Sequence, residues 1–196
     1  MDFRFVVAVS IGTTSVAGMS RETGIPESTI HVWMKRYREH REQSFVGSGK
    51  SSIIKLMCGQ QIPHTGRVEI GNRLTISYVP QDAPFLSGGL RDYAKAQDLD
   101  ETLFMTILSK LDFSKTQSEK DMRELSTGQK KKVLLAASLA TNAHVYIWDE
   151  PLKYIDVLSR IQIEELILTY QPTMIFVEYD QAFCEKIATE TVRLKV

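Results

Sequence analysis

One apolar run that ends in two acids limits the folds open to this chain more than any other feature. The run consists of Val145, Tyr146, Ile147 and Trp148, followed by Asp149 and Glu150. Four bulky residues in a row predict a strand buried on both faces of a parallel sheet, and ligands collect where such strands end. There, one carboxylate can approach a hydrated Mg²⁺ while the other polarises a water aimed at a phosphate. A buried strand that merely ends in a capping acid is the alternative interpretation.

A glycine-containing segment upstream predicts a phosphate-binding loop. Its residues are Gly47, Ser48, Gly49, Lys50, Ser51 and Ser52, and an apolar helical pattern follows over residues 53–57. Glycines let backbone N–H groups surround a phosphate, and the N-terminus of the following helix attracts the anion. Lys50 can reach the terminal phosphates, and Ser51 can offer its hydroxyl group to Mg²⁺.

A second helix start with the same chemistry lies between these two segments. Ser126, Thr127, Gly128 and Gln129 precede three lysines and an apolar run over residues 133–140. A serine followed by a glycine-containing turn at the start of a helix predicts a second anion-binding N-terminus in the same chain.

The three segments, in this order, resemble the nucleotide-binding domain of ATP-binding cassette (ABC) proteins. Gln81, Asp156 and Tyr179 lie in segments that resemble the family's glutamine loop, D-loop and switch loop, so the resemblance covers about residues 47–196. The residues around Gln129 and Trp148 are similar to the C-terminal cassette of the Lsa and Vga type of ABC-F proteins. Members of that group carry two cassettes, bind the ribosome and protect it from antibiotics.

The resemblance implies ATP hydrolysis to ADP and phosphate, with Mg²⁺ as the cofactor. Lys50 would hold the phosphates together with Gly47, Ser48, Gly49 and Ser52. The implied metal ligands are Ser51, Gln81 and Asp149, and the implied catalytic residues are Glu150, Gln81 and Tyr179. Tyr179 stands where the family has a histidine, and a phenol is a poor proton shuttle. Ser126, Gly128 and Gln129 would meet the nucleotide of a second cassette, so the expected partners are that cassette and the ribosome.

The phosphate loop departs from the full pattern at its start. Ser44 occupies the position of the first glycine, and Phe45 and Val46 follow where small or polar residues usually allow the loop to close. The sequence leaves no room for a strand that leads into the loop or for the strands that stack on adenine in this family. We therefore expect residues 44–196 to form an N-terminally truncated cassette.

Residues 1–43 have a different character. Over residues 15–41, two short helical patterns meet near Gly24 and Pro26, and the second carries Lys35 and Arg36 on one face. This resembles the helix-turn-helix of bacterial transposases and small DNA-binding regulators. DNA binding by this segment and a packed helical hairpin with a solvated charged face both remain open.

The predicted fold class is therefore α/β: a P-loop cassette of the ABC type with a parallel core sheet and a helical subdomain, preceded by a small all-α helix-turn-helix segment. A net charge of zero argues against a broad nucleic-acid surface, and no apolar run is long enough for a membrane span. We expect a cytoplasmic protein. A DNA-binding protein with a passenger cassette and an inactive hybrid remnant are the competing hypotheses, and the hybrid itself could be natural or an assembly artefact.

Two helices with defined inner faces are predicted inside the cassette. The first covers residues 101–111 and would turn Leu103, Phe104, Ile107, Leu108 and Leu111 inward. The second covers residues 156–170 and would bury Val157, Leu158, Ile161, Leu166 and Ile167.

Overall fold

A computed structural model describes residues 5–10, 49–64, 70 and 74–194. The predicted helix-turn-helix over residues 15–41 lies outside these residues, so DNA binding stays a prediction. The loop residues Gly47 and Ser48 lie outside them as well. Within the described parts of the chain, no helix has the length and apolar character that crossing a membrane requires.

The described residues contain five strands and seven α-helices. The strands are β1 (Phe5–Ser10), β2 (Ile76–Val79), β3 (Val145–Asp149), β4 (Met174–Glu178) and β5 (Glu190–Leu194). The helices are α1 (Gly49–Met57), α2 (Leu90–Ala96), α3 (Glu101–Lys110), α4 (Lys115–Ser118), α5 (Thr127–Ala140), α6 (Val157–Tyr170) and α7 (Gln181–Ile187), with a 3-10 turn at Met122–Glu124.

The five strands form one sheet in the order β2-β3-β4-β1-β5. The central strands β2, β3 and β4 are parallel, as predicted. β1 lies between β4 and β5 and runs antiparallel to both. Because Ser10 pairs with Met174 at the start of β4, β1 ends at the sheet edge opposite to the end of β4. β1 is a strand that the sequence did not predict. Because of its direction, it does not take the place of the missing strand that would lead into the phosphate loop.

Both faces of β3 are buried, which confirms the strand prediction. Ile147 packs with Ile54 of α1 and with Val177 on one face. Trp148 points to the other face and belongs to the main core, where its indole N–H donates to Ser138 Oγ of α5 at 2.9 Å. Trp148 is fully buried, and burial of a side chain of this size contributes about 2–3 kcal/mol. Strand β3 therefore joins the two layers of helices.

The helical subdomain follows β2 and packs on α5. The start of α3 is fixed by Asp100, whose side chain accepts a hydrogen bond from the Leu103 N–H group at 2.9 Å. Phe104 and Leu108 are buried as predicted, but Leu103 is 45 % exposed, so its predicted inward position is wrong. Leu103 lies in the first turn beside the cap, on the side of the helix that faces solvent.

The predicted inner face of α6 is wrong in its first two turns. Val157 and Leu158 are 71 % and 66 % exposed, and Ile161 is also exposed. The buried stripe is instead formed by Ser159, Ile163 and Ile167, which are spaced four residues apart. Polar contacts set this rotation, because Ser159 Oγ donates to the buried Leu111 carbonyl oxygen at 2.9 Å.

Candidate functional site

The candidate site lies where the three parallel strands end. β2, β3 and β4 end at Val79, Asp149 and Glu178. The residues that follow these ends include Gln81, Glu150 and Tyr179, which the sequence predicted as catalytic. Because the strands are parallel, their carboxyl ends meet at one sheet edge.

Gln81 and Glu150 are in direct contact. Gln81 Nε2 donates a hydrogen bond to Glu150 Oε2 at 2.8 Å. Glu150 has a backbone φ of 48°, a left-handed conformation that is uncommon for residues other than glycine. Its N–H group donates to the Val177 carbonyl oxygen at 2.9 Å, which attaches the start of the turn to β4. Lys153 Nζ lies 3.9 Å from the same carboxylate oxygen. The Glu150 side chain is therefore directed by its neighbours rather than free to rotate.

Tyr179 is the third predicted catalytic residue at this edge, and it is half-exposed. Partial burial raises the pKa of its phenol, and the charge of Glu150 together with a hydrogen bond to that carboxylate raises it further. The phenol is consequently neutral at neutral pH and can donate a hydrogen bond. It cannot carry the positive charge that a histidine can carry.

Asp149 supplies a buried negative charge at the end of β3. Its side chain is only 2 % exposed. Burial and the charge of Asp149 raise the pKa of Tyr78 to about 12 and the pKa of Cys58 to about 11. Both shifts report an environment that disfavours further negative charge. A carboxylate in such surroundings fits a Mg²⁺ ion, which binds through one or two protein oxygens, water and substrate phosphates.

The predicted phosphate loop leads into α1. Gly49, Lys50, Ser51 and Ser52 form the first turn of this helix, and their side chains lie outside the described part of the structure. Ile54 anchors α1 through its contact with Ile147 on β3. The helix that follows the loop therefore stands on the same strand that carries Asp149 at its end.

Ser126 and Gln129 cap the start of α5. Ser126 Oγ accepts from the Gln129 N–H group at 3.3 Å, and Gln129 Oε1 accepts from the Ser126 N–H group at 2.9 Å. This reciprocal pair forms a capping box, so the Gln129 side chain is engaged with its own helix. Gly128 lies against the Tyr154 carbonyl group, and a Cβ atom at Gly128 would lie 2.5 Å from that oxygen. The close approach explains why a helical position holds glycine.

Ion pairs connect the helices behind the site. Lys132 of α5 pairs with Asp156 at 2.7 Å, and Asp156 also caps α6 through the Ser159 N–H group. Further along α6, Arg160 makes two hydrogen bonds to Asp180, which caps α7. The starts of α6 and α7 are thereby fixed relative to α5.

Sequence reasoning missed two charged residues beside the site. Lys131 and Glu178 are 2 % and 6 % exposed, although neither matched a predicted role. Glu178 directly follows the apolar residues 174–177, and Lys131 is the second of three lysines that precede the apolar residues 133–137. A charged residue close to an apolar segment was the sequence signal that could have revealed these two buried side chains.

The sheet, the helix α1 that follows the predicted phosphate loop, and the acidic strand end define a P-loop cassette. The sequence profile of the ABC transporter family matches residues 46–153, which is more than half of the chain. The chain therefore belongs to this family.

Comparisons with known proteins agree with this assignment. The ATP-binding protein Uup of Buchnera aphidicola is 31 % identical over 150 residues, which cover 72 % of this chain and 25 % of that protein. Uup of Escherichia coli is 28 % identical over 152 residues, which cover 74 % and 24 %. The chain thus spans about a quarter of the length of these relatives.

Solved structures show the same fold. The archaeal ribosome recycling factor aABCE1, in complex with the stalk protein aP1, superposes with a TM-score of 0.59 at 25 % identity. That match covers 71 % of this chain and 28 % of the other. The dimeric cassette MJ0796 bound to ADP and Pi superposes with a TM-score of 0.60 at 18 % identity, over 76 % of this chain and 82 % of that one.

Proposed function

We propose that this chain is one nucleotide-binding cassette that binds ATP with Mg²⁺ and hydrolyses it to ADP and phosphate. The observation that carries the proposal is the hydrogen bond between Gln81 and Glu150, located at the strand end that holds the buried Asp149. A water-polarising carboxylate, an amide that orients it and a metal-binding carboxylate are the groups that phosphoryl transfer to water needs.

In this proposal, the start of α1 holds the nucleotide. The backbone N–H groups of Gly47, Ser48, Gly49 and Ser52 would bind phosphate oxygens, and Lys50 would neutralise the terminal phosphates. Ser51, Asp149 and Gln81 would hold the Mg²⁺ ion, which neutralises charge on the phosphates when it is bound. The location of Asp149, buried at the end of β3 and directly before Glu150, supports its part in this set.

Glu150 would align the attacking water and accept its proton. Its position is supported by the Gln81 amide, which already donates to the carboxylate at 2.8 Å. Tyr179 would contribute a neutral hydrogen-bond donor, because its pKa is raised above its usual value of about 10. A donor without positive charge stabilises phosphate less than an imidazolium does, so we expect slow turnover.

The proposed partner is a second cassette. Ser126, Gly128 and Gln129 lie at the start of helix α5, and in this proposal its N-terminus would face an anion bound by the second cassette. The dimeric form of MJ0796, which shares the fold, supports this arrangement.

We further propose that the chain is of the ABC-F type and that the ribosome is a partner of the whole protein. Two observations support this finer assignment: the Uup relatives, and the structural similarity to an archaeal ribosome recycling factor. Protection of the ribosome from antibiotics belongs to the same proposal. Because the chain spans about a quarter of its relatives, this role concerns a protein of which the cassette is one part.

The test is binding of ATP to the full chain, measured by calorimetry with and without Mg²⁺. We expect affinity weaker than low micromolar, because Ser44 replaces a loop glycine and each lost hydrogen bond to a charged phosphate forfeits roughly 1.5–3 kcal/mol. Lys50→Ala should abolish the binding. Lys55→Ala, an exposed lysine of the same helix, is the matched control and should leave it unchanged. Equal affinity of the two variants would contradict the proposal.

A further inference from the structure

Two buried charges at the catalytic edge have no part in the proposed reaction. Lys131 lies in α5 and is 2 % exposed, and Glu178 ends β4 and is 6 % exposed. Removing a charge from water is costly unless the group is fully hydrogen-bonded. The contacts of these two side chains therefore indicate what they do.

Lys131 hydrogen-bonds only to backbone groups at the ends of β2 and β3 among its described contacts. Its Nζ donates to the carbonyl oxygens of Pro80 at 2.8 Å, Gln81 at 3.2 Å and Asp149 at 3.1 Å. An ammonium group has three donors, so three acceptors match its capacity. The ladder between β2 and β3 ends at the pair Val79 and Trp148, and Pro80 has no N–H group with which to extend it. Lys131 thus joins the two strands beyond their last ladder pair.

Glu178 accepts hydrogen bonds from backbone N–H groups, whereas Lys131 donates hydrogen bonds to backbone carbonyl groups. Its Oε2 accepts from the Leu152 N–H group at 3.0 Å, and its Oε1 accepts from the Tyr179 N–H group at 2.7 Å. One carboxylate thereby joins the turn after Glu150 to the backbone of Tyr179.

The two side chains hold the turn over residues 149–152 at both ends. Lys131 binds the carbonyl oxygen of Asp149, and Glu178 binds the N–H group of Leu152. Glu150 lies between these anchors, with its left-handed backbone and its hydrogen bond to Gln81. Since Lys131 also binds the Gln81 carbonyl oxygen, one ammonium group holds the backbone of Gln81 and the peptide group that precedes Glu150.

We propose that Lys131 and Glu178 are positioning residues that keep Glu150 in its left-handed conformation and in contact with Gln81. This inference deepens the proposed function and rests on it for its catalytic consequence. The anchoring of residues 149–152 by Lys131 and Glu178 does not depend on ATP hydrolysis. The alternative is that the two charges only stabilise the core, in which case their loss weakens the whole cassette evenly.

Hydrogen exchange separates these possibilities. Lys131→Met and Glu178→Gln should each speed amide exchange over residues 149–153 by about tenfold or more, while α3 keeps its protection, because local opening exposes only the released segment. Lys131→Met should speed exchange at residues 81–83 as well. The matched controls are Lys110→Met and Glu165→Gln, both exposed, and neither should change exchange in these segments. An equal increase in amide exchange over the whole cassette, or unchanged amide exchange at residues 149–153, would overturn the proposal.

Kinetics of the same variants test the catalytic consequence. With Mg²⁺-ATP, kcat should fall by about tenfold or more, and by a larger factor than any rise in KM, because the anchored turn directs Glu150 toward the attacking water. An unchanged kcat in a chain with local opening would overturn the positioning role. If the wild-type chain hydrolyses no ATP, the proposed function fails, whereas hydrogen exchange still decides the anchoring. If Lys131→Met does not fold, Glu178→Gln carries both measurements.

Discussion

Gln81 Nε2 donates a hydrogen bond to Glu150 Oε2 at 2.8 Å, across 69 residues of sequence. The contact joins the segments that follow two adjacent parallel strands, β2 and β3, whose ladder ends at the pair Val79 and Trp148. It requires both segments to leave the sheet on defined paths. The pairing of β2 with β3 therefore determines the geometry of the proposed catalytic pair.

Removal of this amide should slow hydrolysis. In Gln81→Ala, the carboxylate of Glu150 loses a charge-assisted hydrogen bond, and a loss of this type costs roughly 1.5–3 kcal/mol, or about tenfold to a hundredfold in kcat. Gln97→Ala, which removes an exposed amide at the end of α2, is the control and should retain the wild-type rate. Steady-state phosphate release measures both variants, and equal rates would show that the amide does not orient Glu150 for the reaction.

The contact between Gly128 and Tyr154 predicts an unusual effect of alanine. At an ordinary helical position, Gly→Ala stabilises by about 1 kcal/mol, because alanine is the better helix former. At Gly128, the new Cβ atom would lie 2.5 Å from the Tyr154 carbonyl oxygen. We expect Gly128→Ala to lose about 1–3 kcal/mol of unfolding free energy as the backbone shifts.

Denaturant unfolding at fixed pH measures this loss. The comparison variant is Gly89→Ala, where the nearest atom to the added Cβ lies at 3.5 Å and φ is negative. That change should cost less than about 1 kcal/mol, because only the preference of the helix N-cap is affected. A Gly128→Ala chain as stable as Gly89→Ala would show that the Tyr154 segment moves without cost.

The pairing of Asp180 with Arg160 predicts a dependence of stability on pH. The hydrogen bonds from Arg160 hold the pKa of Asp180 below its usual value, and partial burial only partly opposes them. The folded chain therefore binds fewer protons at this site than the unfolded chain. Its stabilising contribution is complete above the unfolded pKa, near 4, and is lost as the pH falls through the lower folded pKa.

Asp180→Asn should thus cost about 1 kcal/mol at pH 7, since the pair is partly exposed. The difference from wild type should shrink as the pH is lowered toward 3, as measured by urea unfolding at several pH values. Asp92→Asn, an exposed carboxylate of α2, is the control and should show a smaller effect at pH 7. If the difference in unfolding free energy between wild type and Asp180→Asn does not change with pH, the proposed role of the ion pair is contradicted.

Local patterns predicted the parts of the fold that depend on local chemistry. The apolar run before Asp149 forms the buried central strand, and the helix after Ser126 begins with its capping residue, because burial on both faces and a satisfied cap are encoded in adjacent residues. The contact of Gln81 with Glu150 could be anticipated only through the resemblance to the cassette family. No local pattern of residues relates these two positions, which lie 69 residues apart.

Long-range polar contacts explain the failures. The inner face of α6 was misplaced because Ser159 is held inward by the Leu111 carbonyl oxygen, which no apolar periodicity reveals. Lys131 had no predicted role beyond its place in a run of three lysines, and its ammonium group binds three carbonyl oxygens of other segments. Strand β1 was missed for a related reason, since a Val-rich segment favours a strand only where neighbouring strands pair with it.

The most direct test of the central claim is single-turnover release of phosphate from Mg²⁺-ATP by the wild-type chain and by Glu150→Gln. The amide keeps the size of the side chain but cannot accept a proton from water, so it removes an interaction that acts in the transition state. We expect the wild-type chain to release phosphate at millimolar ATP. Glu150→Gln should bind ATP with an affinity within about twofold of wild type and release phosphate at least about a hundredfold more slowly. Equal release rates for the two chains, or no release from the wild-type chain with bound ATP, would contradict the claim that Glu150 is the water-activating residue of a working cassette.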